Sequence, residues 1–313
     1  MPLVEKSNKP TVYIYQANRF FPALPSGHRF PMAKYQLVME QLVYEGTFTE
    51  DQFIEAPPLP SVDALRVHTP RYWHAVLEQR LDKKESRKLG FPQSGALVQR
   101  ARRSAMGTLL AARDALNGGI GLNLGGGTHH GYADHGEGFS VFNDMAIAAR
   151  YLLHHRLVSR LLFVDLDVHQ GNGNAWLFRD DPAVFTFSMH CASNYPLHKE
   201  NSDLDVALPA GTGDDAYFTA LSAHWPRLLE EVHPNLVFYQ SGVDVLAGDC
   251  LGHFGLSLEA CQKRDEWIMQ ACQDANIPLV VVMGGGYNQR LALTVAAHAA
   301  TYRLAASRFD GHV

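Results

Sequence analysis

What this chain lacks narrows its character first. Its four cysteines, Cys191, Cys250, Cys261 and Cys272, include no C-x-x-C pair, so neither a thioredoxin-like dithiol nor a zinc ribbon is indicated and reduced, structural thiols are expected. No run of about eighteen uncharged apolar residues occurs, and the N-terminal MPLVEKSNKP has no apolar stretch suited to a signal peptide. A cytoplasmic protein without a membrane partner is therefore expected. No basic run exceeds RARR at 100–103 in a chain of formal net charge −5, which argues against direct nucleic-acid binding along a phosphate backbone. The mildly acidic body is compatible with a cationic substrate. Tandem repeats, low-complexity tracts and a dividing linker are missing. Neither GGGTHHG nor GNGN has the G-x-x-x-x-G-K-[ST] spacing of a phosphate loop.

What is present is a substantial core, with 46% hydrophobic residues in 313. Short apolar runs recur at 11–16, 119–124, 160–167, 183–189, 235–241 and 277–283. Their continuous apolarity, rather than alternation, predicts strands covered on both faces. Between them ALVQRARRSAMGTLLAARDAL, FNDMAIAARYLLHHRL and LSLEACQKRDEWIMQACQDAN have helical patterns, the last placing Cys261 and Cys272 about three turns apart so that both can face the core. Strand–helix alternation predicts an α/β protein with a mainly parallel sheet and helices on both sides. The charged segments 82–90 and 196–215 are expected as surface loops.

Chemistry collects where these strands end. FVDLDVHQGNGNAW carries Asp165, Asp167 and His169 at alternate positions, and in an extended chain these would project from one face. Two neighbouring buried carboxylates are costly unless one protonates or a cation sits between them. An exposed polar loop is the ordinary alternative, but LLFV places the triplet at the carboxyl edge of a sheet, where α/β proteins build their sites. Other strand ends deliver Asp244 in SGVD, His129 and His130 in GGGTHHG, and Tyr287 in GGGY. Singly, each has a structural explanation as an Asx-turn, a satisfied histidine pair or a packed tyrosine. Asp167, His169 and Asp244 would give a divalent metal three ligands and leave positions open, as catalytic sites do. Zinc suits them, and the set is hard enough for Fe(II) or Mn(II).

The motifs GGGTHHGYADHGEGFSVFND, DLDVHQGNG, FSMH, SGVDVLAGDCLGHFGLS and GGGY, with HRFPMAKY, VHTPRYW and GFPQS upstream, resemble the histone deacetylase family of the arginase–deacetylase fold nearly end to end. HRFPM and NYPLHKENSDLDVALPAGTGDD look most like its class IV branch and bacterial relatives. The resemblance implies one deacetylase-like catalytic domain over 1–313 with a three-layer αβα fold. It implies a hydrolase that removes an acyl group, acetyl first, from a lysine side chain of a protein or peptide by means of a metal-activated water. One Zn2+ per chain, or Fe2+, would sit on Asp167, His169 and Asp244. In arginase-like relatives a second metal requires carboxylates at the positions of Gly171 and Leu246, which points here to a single ion.

The implied catalytic set is His130 as general base, His129 held by Asp165 for orientation and charge, Asn172 orienting His130, and Tyr287 on the developing oxyanion. Phe139 and Leu251 match the acyl-lysine tunnel, with core packing as the alternative for Leu251. Tyr195 is a candidate for a second tunnel aromatic. Asp165, Asp167, His169, Ser188 and Met189 match a monovalent site for K+. Cys250 falls near the tunnel rim and is expected buried and inert. His154, His155, His198 and His253 are expected as surface or packing residues. Two other readings stay open: a deacetylase of acetylpolyamines or another small acylated amine, and an acyl-lysine binding protein without turnover, which would require neither Tyr287 nor the histidine pair.

Overall fold

The computed structural model describes residues 11–309. MPLVEKSNKP, on which the expected lack of a signal peptide rests, lies outside them. The elements in chain order are β1 (Ile14–Gln16), α1 (Lys34–Tyr44), β2 (Phe53–Glu55), α2 (Ser61–Ala64), α3 (Pro70–Leu77), α4 (Lys83–Leu89), α5 (Gly95–Gly118), β3 (Ile120–Asn123), α6 (Asp144–His154), β4 (Leu161–Asp165), α7 (Asn172–Phe178), β5 (Val184–Cys191), β6 (Leu204–Leu208), α8 (Asp214–Val232), β7 (Leu236–Gln240), α9 (Leu258–Asp274), β8 (Leu279–Val282) and α10 (Leu291–Phe309). The strands form one sheet in the order β2-β1-β3-β8-β7-β4-β5-β6, and every pairing is parallel.

The continuously apolar runs became the interior strands, and every residue of β3, β4, β7 and β8 is buried. Register shows what covers them. Gly121, Val280, Phe238 and Phe163 form one row across the sheet. Phe163 meets Phe178 of α7 on that face, and a Cβ on Gly121 would stand 1.7 Å from the Ala111 carbonyl of α5. The glycine is what lets this helix lie directly on the strand. The next row turns Tyr239 to the other face, where its hydroxyl donates to Asp265 of α9. Helices on both faces give the expected three layers.

Two segments expected as loops contain structure. Within 196–215 lies β6, an edge strand with no fully buried residue, whose half-exposed pattern lacks the apolar run that marks its interior neighbours. Within 82–90 lies α4, started by a reciprocal cap in which the Asp82 side chain accepts from the Lys84 and Glu85 amides and Glu85 answers to the Asp82 amide. The D-x-x-E spacing was a helix-start signal hidden among charges. Strand β2 at the opposite edge was also missed. The basic run 100–103 lies inside α5, where Arg100, Arg102 and Arg103 donate to the carbonyls of Ala17, Leu59 and Ala56. These guanidinium groups fasten the helix to neighbouring loops. No helix among the described residues is long and apolar enough to cross a membrane.

His68 ties the loop before α6 to the body. Its Nδ1 donates to the Tyr132 carbonyl at 3.0 Å and its Nε2 accepts the Asn143 amide at 3.1 Å, so the ring must be neutral and in one tautomer. Burial is the main reason its pKa falls from 6.5 to about 4. An unfolded His68 takes up its proton near pH 6.5 and the folded one only near 4, so its contribution is whole above pH 6.5 and is lost as pH falls through that window. Urea denaturation from pH 7 to pH 4 should show a loss that His68→Gln reduces by up to about 3 kcal/mol. A pH dependence identical in the variant would refute the assignment.

Candidate active site

The strands bearing the expected chemistry, β3, β8, β7 and β4, are neighbours in the sheet, so their carboxyl ends open onto one place. The chain does not stay extended beyond β4. The strand ends at Asp165, and two bends follow in which Asp165 Oδ1 accepts the Asp167 amide at 3.2 Å and Asp167 Oδ1 accepts the His169 amide at 3.0 Å. The expected single face is therefore divided. Asp165 turns to His129, with Nδ1 and Oδ2 2.7 Å apart, while Asp167 and His169 turn to Asp244.

Asp167, His169 and Asp244 are all buried, and one ligand atom from each lies within 4.8 Å of the others. His169 Nδ1 is 3.0 Å from Asp167 Oδ1 and 3.1 Å from Asp244 Oδ2. One ring proton cannot serve both well, and Asp244 Oδ2 is left a buried oxygen without a satisfactory hydrogen bond. Burial and the Asp167 charge push Asp244 up to about 7. Burial opposes charging His169, yet Asp167 and Asp244 together push it up to about 10. A pocket that strips two carboxylates of water and leaves one oxygen unpaired fits a divalent cation. Other ligand oxygens are fixed by the backbone: Gly285 N donates to Asp167 Oδ2 at 2.8 Å and Val168 N to Asp244 Oδ1 at 3.0 Å. A side chain at Gly171 would begin 2.3 Å from Asp165 Oδ2, so the second carboxylate of a two-metal site has no room there.

The two histidines have opposite environments. Burial, then the charges of His129 and His169, hold His130 well below 6.5. Burial also works against charging His129, but Asp165 and Asp167 overcome it and raise its pKa. The carbonyl oxygen of Asn172 accepts from His130 Nδ1 at 2.6 Å, which leaves Nε2 as the ring's free acceptor. The ring of Tyr287 stands 6.5 Å from that of His169, centroid to centroid. Its backbone amide is held by Asp249 at 2.6 Å. Ser188 lies opposite Asp165 in the β4–β5 register, its hydroxyl 3.0 Å from His190 Nδ1, and Met189 is buried beside it.

Three supporting residues escaped the sequence reading. Lys34 is buried, donates to the Gly284 and Gly286 carbonyls at 3.2 and 3.4 Å, and places its ammonium 5.1 Å from the Tyr287 ring centre. Glu137 accepts the Asn172 amide at 2.7 Å. Burial would raise its pKa, but His135, Lys88, Tyr195 and Asn172 together hold it far below the usual carboxylate range. Arg264 donates to the carbonyls of Leu166 and Gly242 at 3.1 and 2.8 Å, bracing both ligand-bearing loops. A lysine at the start of an apolar helix and an arginine within one were the available signals.

The triple-glycine loops pack on one another. Gly284 N donates to the Gly126 carbonyl at 3.3 Å, and a Cβ on Gly127, at φ +93°, would meet Gly284 N at 2.7 Å. Above them a cavity of about 840 Å3 leads outward and is lined by Phe139, Leu251, Tyr195, His130, His169 and Tyr287 among others. Tyr195 sets its ring edge-on to His130, centroids 5.1 Å apart. Cys250 lines the same mouth and is exposed, so the expected burial is wrong at this position. The turn after Asp249, which receives the Leu251 and Gly252 amides, brings it to the surface. Cys191, Cys261 and Cys272 are buried as expected. His154, His155 and His198 are exposed, and His253 is exposed at the mouth.

A histone deacetylase domain matches residues 28–303 of the chain. Histone deacetylase 2 of Arabidopsis thaliana is 30% identical over 302 residues, spanning 94% of this chain and 78% of that protein. An uncharacterized protein of Picosynechococcus sp. is 42% identical over 283 residues, 90% of this chain and 94% of its own length. Among solved structures, an HDAC homolog complexed with SAHA has a TM-score of 0.81 at 23% identity, covering 97% of this chain and 85% of that one.

A Cβ on Gly285 would lie 1.9 Å from Asp244 Oδ2 and 2.9 Å from Asp167 Oδ2. If the cluster holds a divalent ion, Gly285→Ala should lower uptake of added zinc well below that of the unaltered protein, read by elemental analysis after dialysis, with the far-ultraviolet circular dichroism retained. Full stoichiometry in a folded variant would count against the cluster as a metal site.

Proposed function

Since this chain belongs to the histone deacetylase family, whose members support a deacetylase activity here, we propose that it is a metal-dependent hydrolase that removes an acyl group, acetyl first, from a lysine side chain of a protein or peptide. Residues 1–313 are read as one catalytic domain, nearest the class IV branch, acting in the cytoplasm. The observation that carries the reading is the buried Asp167–His169–Asp244 cluster beside two histidines with opposed proton affinities, at the floor of an open mouth.

Asp167, His169 and Asp244 would hold the ion, zinc before Fe2+, with K+ at Asp165, Asp167, His169, Ser188 and Met189. Such a divalent ion supplies Lewis acidity to the scissile carbonyl and lowers the pKa of water. His130, neutral and with Nε2 free, takes the proton of the attacking water and later delivers it to the leaving amine. His129, whose proton affinity Asp165 and Asp167 raise against burial, holds its Nδ1 proton toward Asp165 and orients the site beside His130. Opposed pKa shifts in adjacent groups are the mark of divided acid and base roles. Tyr287 donates to the carbonyl oxygen as charge develops there. Phe139, Leu251 and Tyr195 flank the acyl-lysine arm.

Asn172 gives His130 a neutral partner, but Glu137 stands directly behind it, so negative charge reaches the base through one intervening amide. Glu137 is a positioning residue in this scheme.

Metal-reconstituted protein assayed on acyl-lysine peptides and acetylated polyamines tests the activity directly, and absence of turnover on every substrate would sink it. Tyr287→Phe should keep its metal and lose on the order of 10²–10³ in kcat; an unchanged kcat would remove Tyr287 from the reaction. Glu137→Gln should lower kcat several-fold and move the acidic limb of the kcat/KM profile to lower pH, because His130 becomes less basic. A uniform loss with the limb in place would assign Glu137 to structure alone.

A further inference from the structure

The wall of the mouth carries charge of one sign. Arg29 comes from the segment ahead of α1, Arg87 and Lys88 from the last turn of α4, and among the described residues no aspartate or glutamate lines the cavity with them. The chain as a whole has a formal net charge of −5, so the positive sign is local. Lys88 is partly answered by Glu137 at 2.5 Å. Arg29 and Arg87 are exposed, and neither has an ion-pair partner among the described residues. A helix end favours cations in its last turn, which accounts for positions 87 and 88 through the stability of α4 itself. It does not account for Arg29, which reaches the same rim from another part of the chain.

An acylated lysine arm is neutral and suits the part of the cavity lined by Phe139 and Leu251. Whatever is attached to that arm must remain in the mouth. For a peptide this means the flanking side chains; for an acetylpolyamine it means at least one free ammonium group. An ammonium finds no carboxylate there and faces two unpaired guanidinium groups, whereas a carboxylate can pair with either. We propose that the mouth selects acyl-lysines flanked by acidic side chains and turns away acetylpolyamines and lysines in basic surroundings. The inference rests on reading the passage as an acyl-lysine site, and it sets the local charge of the mouth against the net charge of the chain, which alone is compatible with a cationic substrate.

Exposed charge pairs contribute little each and act through encounter, so two or three of them should give a preference on the order of ten-fold that fades as salt is raised. The test uses the metal-reconstituted full chain with three substrates: an acetyl-lysine peptide with aspartate and glutamate neighbours, the same peptide with lysine and arginine neighbours, and acetylspermidine. The ratio of kcat/KM, acidic over basic, is measured at low and high salt. In parallel, fluorescence anisotropy reports binding of the labelled peptides to Tyr287→Phe protein. The wild-type ratio should favour the acidic peptide and converge toward unity with salt. The pair Arg29→Glu and Arg87→Glu should invert it; if that double variant does not fold, Arg29→Gln and Arg87→Gln singly should each lower it.

A ratio of one or below in the wild type, or a ratio the variants leave in place, overturns the inference. Turnover without charge preference would overturn it and leave the deacylase reading intact. Anisotropy that ranks the acidic peptide first in a protein turning over no substrate would overturn the activity and support the mouth. Absence of both binding and turnover overturns both.

Discussion

Everything at this sheet edge answers to one electrostatic difficulty: two carboxylates and an imidazole are held together away from water. With ligand atoms within 4.8 Å, two unit negative charges repel by on the order of 3 kcal/mol even at an effective dielectric of about 20. The protein divides this load. Asp167 receives backbone amides on both oxygens and stays far below the usual carboxylate range despite its burial, aided by His129 and His169. Asp244 receives one amide and keeps the other oxygen open. The asymmetry leaves a directed electron pair facing the histidine, the arrangement a cation would complete.

The surrounding chain is built to hold that arrangement still. Four central strands end side by side, and their loops are fastened from behind by ammonium and guanidinium groups that reach main-chain carbonyls. Lys34 does this for the GGGY loop, and Asp144 does the complementary task for GGGT by accepting the Gly127 and Thr128 amides at 3.0 and 2.7 Å. Glycine at 127, 284 and 285 is required because neighbouring atoms occupy the space a side chain would need. Precision here comes from packing as much as from polar contacts.

Most of this architecture was legible because interior strands and their endings leave strong local signals. The apolar runs that became β3, β4, β5, β7 and β8 were read correctly, and so was the convergence of chemistry beyond them. The edges were not legible: β2 and β6 bury too little to show a run, and the cap that starts α4 was masked by its charges. The division of the Asp165–Asp167–His169 triplet was also hidden, since it depends on side-chain-to-backbone bonds that break the strand geometry. Lys34, Glu137 and Arg264 were missed for a different reason. Their partners are distant in sequence, 250 residues in the case of Lys34 and Gly284, and no local pattern encodes such a pairing. The exposure of Cys250 likewise follows from a turn set by Asp249, which composition does not reveal.

The grip of Arg264 has a bearing on how such a protein can change over generations. It takes hold of the Leu166 and Gly242 carbonyl oxygens, groups that every amino acid supplies alike. Replacement of the side chains in those segments therefore need not loosen the clamp, so long as the trace of the chain is kept. A brace indifferent to residue identity lets the outer lining drift toward new specificities while the inner frame is inherited unchanged.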